Sequence, residues 1–279
     1  NNNCCGVKLQ DGQASGVTFE NNNIHDNADN GIGLVGLQGP GENLVKGNTL
    51  VNNGRFGIEI KNPNGSGLAT GPGRVVVENN NVSRNVPIGG GELRDLGGIV
   101  AIRRGVLAGN VQVPNGVVIQ NNSVSGYQQP STSEGFGIVV EGTSHIVSGN
   151  TVSNCDVGIQ RQAGHLPAPP VDGDQANLPD TYFGRGNSAQ TCGITISGNT
   201  LTNSINTRDV GASAGGLVQN INTNLKYCSI QAAVSDLLTL SGHTIEVSEG
   251  TYNEQVLVNK GVLIKGVGAS KPVVDFTGT

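Results

Sequence analysis

The residues with the reach to do chemistry are few and scattered. Asp172-Gly173-Asp174 places two carboxylates one residue apart inside a long polar excursion, residues 162–190, that also holds His165, Asp180, Tyr182 and Arg185. Carboxylate oxygens of this kind suit Ca²⁺, which takes six to eight oxygen ligands, so Asp172 and Asp174 are the candidate metal ligands and Ca²⁺ the one candidate cofactor. Five cysteines occur, Cys4, Cys5, Cys155, Cys192 and Cys228, with no Cys-x-x-Cys spacing, which argues against a structural zinc site. Cys155 and Cys192 flank the excursion and would close it as a disulfide. Two buried reduced thiols are the competing expectation, because an unpaired cysteine packs well in a core. The four histidines share no spacing that would make a ligand set or a catalytic base.

The elements that must position such residues come from an internal repeat. A Gly-aliphatic-x-aliphatic motif recurs at Gly6-Val7-Lys8-Leu9, Gly31-Ile32-Gly33-Leu34 and Gly57-Ile58-Glu59-Ile60. Looser copies stand at Gly98-Ile99-Val100-Ala101, Gly137-Ile138-Val139-Val140, Gly158-Ile159-Gln160-Arg161 and Gly216-Leu217-Val218. Between them a second motif, apolar-x-(Asn/Gly)-Asn-x-aliphatic, places Asn22, Asn48, Asn80, Asn122, Asn150 and Asn199 at equivalent points. A period of this length means one supersecondary unit per repeat, stacked so that each unit buries its neighbour's apolar face. Alternation sends the two aliphatic residues of each strand to the same side. Asn at a sharp corner tolerates left-handed backbone and bonds nearby backbone groups. Stacking brings the six asparagines into one column, where amides can bond from coil to coil as in other stacked-strand ladders. The reading is structural: an Asn ladder, not a binding site.

These motifs resemble the right-handed parallel β-helix repeat family, which includes pectate lyases, pectin methylesterases, alginate epimerases, phage tailspikes and bacterial surface proteins. The resemblance implies an all-β solenoid. Residues 1–220 would form its body of about seven coils with inserted loops. Residues 221–279 begin anew: Ile230, Ala233, Val234, Leu237 and Leu238 lie on one helical face, which predicts a short amphipathic helix near 229–240. Strand-like runs follow at Thr244-Ile245-Glu246-Val247 and Val262-Leu263-Ile264. A capping helix followed by first coils resembles the opening of pectin methylesterase-like β-helices, here placed after a body already under way. The chain reads as a piece of something longer: either tandem β-helix domains, or coils that dock on a neighbouring subunit.

Lyases and esterases of the resembled family work from a groove on one sheet face, with clustered carboxylates, often calcium, and an Arg or Lys. Here the outward positions of the first strand are Lys8, Gly33, Glu59, Val100, Val139 and Gln160, followed two residues on by Gln10, Val35, Lys61, Ile102, Glu141 and Gln162. No stack of aspartates appears, and the expectation for Glu59 and Lys61 is a solvated charged face. The esterase's catalytic pair would fall beyond Thr279, so no catalytic residue is carried over, and the alginate epimerase signature Asp-Pro-His-Glu is absent. A net charge of −5, with no basic stripe, gives phosphate backbones nothing to bind, and no apolar run is long enough to span a bilayer. The functional expectation is an extracellular structural protein of the bacterial cell surface, with copies of itself as partner, in a fibre, surface layer or adhesin. The alternative is a polysaccharide lyase, epimerase or esterase, or a carbohydrate-binding module with polysaccharide as partner.

Overall fold

The computed structural model describes residues 4–9, 14–86, 96–102, 114–130, 133, 135–162, 193–210, 218–223, 225–227, 229–236, 238–252 and 254–276. Three parallel sheets wind together through residues 7–210. The first stacks seven strands, from Val7–Leu9 through Phe56–Lys61 and Leu96–Ile102 to Ile205–Val210. The second runs from Thr18–Glu20 to Thr195–Ser197 and the third from Asn23–His25 to Thr200–Thr202, six strands each. Successive strands of the chain fall in successive sheets, so each coil contributes one strand to each.

The register shows why the aliphatic residues recur as they do. Ile32, Ile58, Ile99, Ile138 and Ile159 are in-line partners across the first sheet, and Leu34, Ile60, Ala101 and Val140 form the next inward column. Val45, Val77, Ile119 and Val147 line the second sheet, and Leu50, Val82, Val124 and Val152 the third. All are buried in one continuous core. Each such Val, Leu or Ile contributes on the order of 1.5–3 kcal/mol through apolar burial, and no coil could bury its own four inward side chains without the coils above and below.

The glycine that opens each first-sheet motif has a steric cause. A Cβ on Gly31 would lie 2.7 Å from the Gly57 carbonyl oxygen. One on Gly57 would lie 2.7 Å from that of Gly98, and one on Gly98 2.7 Å from that of Gly137. Here the backbone of one coil presses on the next, and only hydrogen fits. At the corner between the second and third sheets the left-handed residue is the one before each ladder Asn: Asn21, Gly47, Asn79, Asn121, Gly149 and Gly198 have φ between 55° and 65°. The (Asn/Gly)-Asn pair thus divides the work, one residue turning the chain and the next bonding across coils.

The C-terminal segment is organised differently. Its sheet runs in the order Leu225–Tyr227, Val218–Asn220, Thr244–Ser248, Leu263–Val267; the first two pairings are antiparallel and the last is parallel. Val218 therefore pairs with Tyr227 and Val247, not with the body. Of the motif copy expected at Gly216-Leu217-Val218 only Val218 is among the described residues, and it lies outside the first sheet, whose seventh strand is Ile205–Val210. The helix spans Ile230–Ser235, shorter than the predicted 229–240. Ser229 caps it by accepting the Ala232 N–H at 3.0 Å, and Asp236 leaves helical geometry (ψ 135°) and accepts the Leu238 N–H at 2.8 Å. Ile230, Ala233 and Val234 pack on Val218, Tyr227, Ile245, Val247 and Tyr252, while Leu238 remains exposed.

Candidate functional site

The six ladder asparagines stand in one column. Asn22 Nδ2 donates to Asn48 Oδ1, Asn48 to Asn80, Asn80 to Asn122, Asn122 to Asn150 and Asn150 to Asn199, each at 2.9 Å. The backbone N–H of the same donor residue reaches the same oxygen at 2.9–3.0 Å. The amide nitrogen also lies within bonding distance of the carbonyl two residues earlier and of a carbonyl in the preceding coil; for Asn80 these are Glu78 O at 3.0 Å and Val45 O at 2.9 Å. Asn48, Asn80, Asn122 and Asn150 are buried. The side-chain amides of these four are committed to the chain itself, so this stretch of the column holds coils together.

A second ladder at the next corner escaped the sequence reading. Asn27 Nδ2 donates to Asn53 Oδ1 at 2.8 Å, with the 26-residue offset that also separates Asn22 from Asn48. Further along the same corner the position is held by Tyr127, Cys155 and Ser204, one residue after Gly126, Asn154 and Asn203, which have positive φ. Cys155 Sγ donates to Ser153 O at 3.4 Å, and the Cys155 N–H reaches Ser204 Oγ at 3.1 Å, so sulfur and hydroxyl stand in for amides. Cys155 is a free thiol, and its burial pushes the thiol up to about 12. The buried position of Cys155 fits the reduced-thiol expectation; the disulfide expected with Cys192 falls on a residue outside the described ones. Cys192, Asp172 and Asp174 lie outside the described residues, and with them the Ca²⁺ expectation.

The outer side of the first sheet corrects a further expectation. Glu59 is 1 % exposed and Lys61 8 %, and Val100, Val139, Gln160 and Glu141 are buried beside them. At these residues the face is not solvated, whereas Lys8 in the first coil is exposed. Phe56, Val100, Ile102, Phe136, Val139 and Val157 form a second apolar cluster there, and the Arg55 guanidinium lies 4.8 Å over the Phe56 ring. Within this cover the Glu59 carboxylate accepts from Asn30 Nδ2 at 2.5 Å and faces the Lys61 ammonium at 3.7 Å. Buried charge persists only when paired in this way. Valines at two outward positions carried the signal for a covered face.

His145 is a structural group. Its Nδ1 accepts the Val117 N–H at 3.1 Å and its Nε2 reaches the Glu141 carbonyl at 2.8 Å, which fixes a neutral ring protonated on Nε2. Burial lowers its pKa to about 4, against the opposing pull of the Glu141 carbonyl. Where the first sheet turns into the second, an open cleft of about 470 Å³ is lined by Gln38, Asn64, Ser66, Asn115 and Gln219. Asn115 Nδ2 donates there to Asn64 Oδ1 at 3.3 Å, and Thr143 Oγ1 to Asn115 Oδ1 at 3.0 Å. Among the described residues one group of three potential metal ligands comes together: Cys4, Cys5 and Asp29.

Three parallel sheets sharing one core, with a polar ladder at the corner, define the class: a right-handed parallel β-helix. Residues 1–110 match the family described as the right handed beta helix region; the strand order carries the same coil on to residue 210. Over 60 residues the chain is 37 % identical to a cell surface glycoprotein of Methanothermus fervidus, a stretch that covers 22 % of this chain and 10 % of that protein. The chain thus spans about a tenth of that relative's length. No solved structure matches. Among the described residues no helix is long and apolar enough to cross a membrane.

Proposed function

We propose that this chain is a structural unit of a cell-surface protein, an extracellular β-helix rod whose coils stack head to tail with further coils. One observation carries the reading. Among the described residues the last strand of the C-terminal sheet, Leu263–Val267, is an edge strand that pairs in parallel with Thr244–Ser248 on one side only. Leu263 is 59 % exposed, and Val273 and Phe276 on the neighbouring segment are 54 % and 58 % exposed. An open edge with apolar side chains on it recruits another strand, and parallel pairing is the mode by which every coil of the body already stacks. The similarity to a cell surface glycoprotein supports the location, and the ladder that bonds coil to coil supports a scaffold role. Head-to-tail contact between unlike ends builds rings or filaments according to its rotation. Negative-stain electron microscopy and sedimentation of the purified chain across a concentration series test this. Rods or rings that lengthen with concentration are expected; a monomer at the highest concentration overturns self-stacking.

A second reading rests on the amide-lined cleft at Gln38, Asn64, Asn115 and Gln219. Amides pair well with sugar hydroxyls, so the surface could hold a neutral polysaccharide without turning it over. Titration with soluble glycans, followed by activity assay of any that binds, separates a binding module from an enzyme.

A further inference from the structure

The N-terminal entry to the first coil carries two adjacent thiols. Cys4 and Cys5 have no residue between them, their sulfurs are 2.7 Å apart, and both are partly buried. The segment is held in place on either side. Asp29 N–H donates to the Cys4 carbonyl at 2.7 Å, Gly6 N–H to the Asn30 carbonyl at 3.0 Å and Val7 N–H to the Gly31 carbonyl at 2.9 Å. These bonds anchor the main chain on both sides of the pair, and on that anchored backbone the two sulfurs stand side by side.

We propose that Cys4 and Cys5 form a reversible two-electron redox couple, closing on oxidation into a disulfide between neighbouring residues. The oxidant is a low-molecular-weight disulfide. One cysteine thiolate attacks it, forming a mixed disulfide and releasing one thiol. The neighbouring thiolate then attacks the protein sulfur of that bond, closing the ring and releasing the second thiol. Two protein thiols are oxidised, one small disulfide is reduced to two thiols, and the two protons pass to the released thiolates.

One physical point favours this over a shared metal ion, although the Asp29 carboxylate stands close enough to both sulfurs for one. Two thiolates on one zinc ion, each about 2.3 Å from the metal in a tetrahedral site, must stand well apart, whereas these sulfurs are already pressed together. Burial and the neighbouring Cys4 hold the Cys5 thiol up to about 12, so exchange through Cys5 is slow at neutral pH and quickens as pH rises. The ring would be labile. Adjacent Cα atoms are about 3.8 Å apart across a trans peptide, shorter than the usual disulfide span of about 4.4–6.8 Å, and strained bridges are the readily reduced ones.

The test equilibrates the intact chain with graded mixtures of oxidised and reduced glutathione. Acid quenching, labelling of remaining thiols in denaturant, reduction and a second, mass-distinct label then lead to digestion and mass spectrometry. The peptide holding Cys4 and Cys5 should pass from two first labels to two second labels in one step, with no change in chain size on a non-reducing gel. Cys155 should keep the first label throughout. Cys4→Ser should leave Cys5 as a glutathione adduct in place of the ring, with an unchanged far-ultraviolet spectrum. Two first labels at the most oxidising ratio, or a bridge from either residue to another cysteine, overturns the proposal. So does retention of one equivalent of Zn²⁺ by the native chain, lost in Cys4→Ser, that blocks oxidation.

Discussion

Asn80 and Asn122 are bonded twice: both the amide Nδ2 and the backbone N–H of Asn80 end on the single oxygen Asn122 Oδ1, at 2.9 and 3.0 Å. Asn122 in turn directs its own Nδ2 at Asn150 Oδ1, Val77 O and Gln120 O. A residue in this column must accept from one side and donate to the other, which is why a carboxylate of the same shape cannot replace it. Asn122→Asp keeps the acceptor, loses every donor and buries a charge among three oxygens. The expected cost is at least about 3 kcal/mol of unfolding free energy. The same change at Asn22, which is exposed at the end of the column, should cost under about 1 kcal/mol. Denaturant titration of the two variants checks the gradient; equal losses would refute the directional ladder.

Gly31 and Gly33 lie two residues apart on one strand and predict opposite outcomes. A Cβ at Gly31 would stand 2.7 Å from both Gly57 O and Leu50 Cδ2, and backbone cannot yield there. At Gly33 the nearest atom is Asn30 Nδ2 at 3.4 Å. Gly31→Ala should destabilise by several kcal/mol or prevent folding, as overpacking against main chain does. Gly33→Ala should be neutral or stabilising by up to about 1 kcal/mol, through loss of unfolded-state entropy. Thermal melts of the two purified variants are the measurement.

The stacked architecture was legible because it repeats: aliphatic residues at fixed offsets from Gly57 and Asn80 leave few ways to bury them. The purpose of the glycine was not, since the oxygen that excludes a side chain at Gly57 belongs to Gly98, in the next coil. The second ladder was hidden because Tyr127, Cys155 and Ser204 occupy the positions of Asn27 and Asn53, so no single residue type repeats. The outer face was misread because alternation says which side a residue takes, not whether that side meets water; Val100 and Val139 sit outward and are still buried. The helix stopped early because Asp236 bonds the following backbone, a local choice that apolar periodicity through Leu238 does not register.

His145 should make the fold acid-sensitive. Its folded-state pKa is lowered from 6.5 to about 4, so the unfolded chain binds the proton more readily. Stability from this group is fully present above pH 6.5 and is lost as pH falls from there towards about 4. The shift corresponds to about 3 kcal/mol. Protonation would turn Nδ1 into a donor facing the Val117 N–H. His145→Gln supplies an acceptor and a donor that do not titrate, so the difference in unfolding free energy between wild type and variant should narrow by that amount between pH 7 and pH 4. A constant difference across the range would remove His145 as the cause.

Cys155 offers a readout of the intact body. Its thiol is buried, pushed up to about 12, and bonded within the second ladder, so neither the thiolate nor the access that alkylation requires exists in the folded chain. Modification should follow opening of the coil around Ser153 and Ser204, and its rate should rise in step with denaturant. Cys155→Ser should cost little, since a hydroxyl already fills the equivalent place at Ser204, where Oγ donates to Thr202 O at 3.3 Å. Rapid labelling of Cys155 in native buffer would contradict the burial.

The exposed C-terminal edge separates folding from assembly. Leu263 and Val273 contribute little to the C-terminal core, which is formed by Val218, Tyr227, Ile245, Val247 and the helix, and their side chains are more than half exposed. Leu263→Lys and Val273→Lys place charge on the edge, the device by which natural sheets refuse further strands. Such surface changes should alter unfolding free energy by no more than about 0.5 kcal/mol while lowering self-association at least tenfold in sedimentation equilibrium. If association persists unchanged in the double variant, this edge is not the contact. If stability falls with it, the two residues belong to the core of the unit and not to its surface.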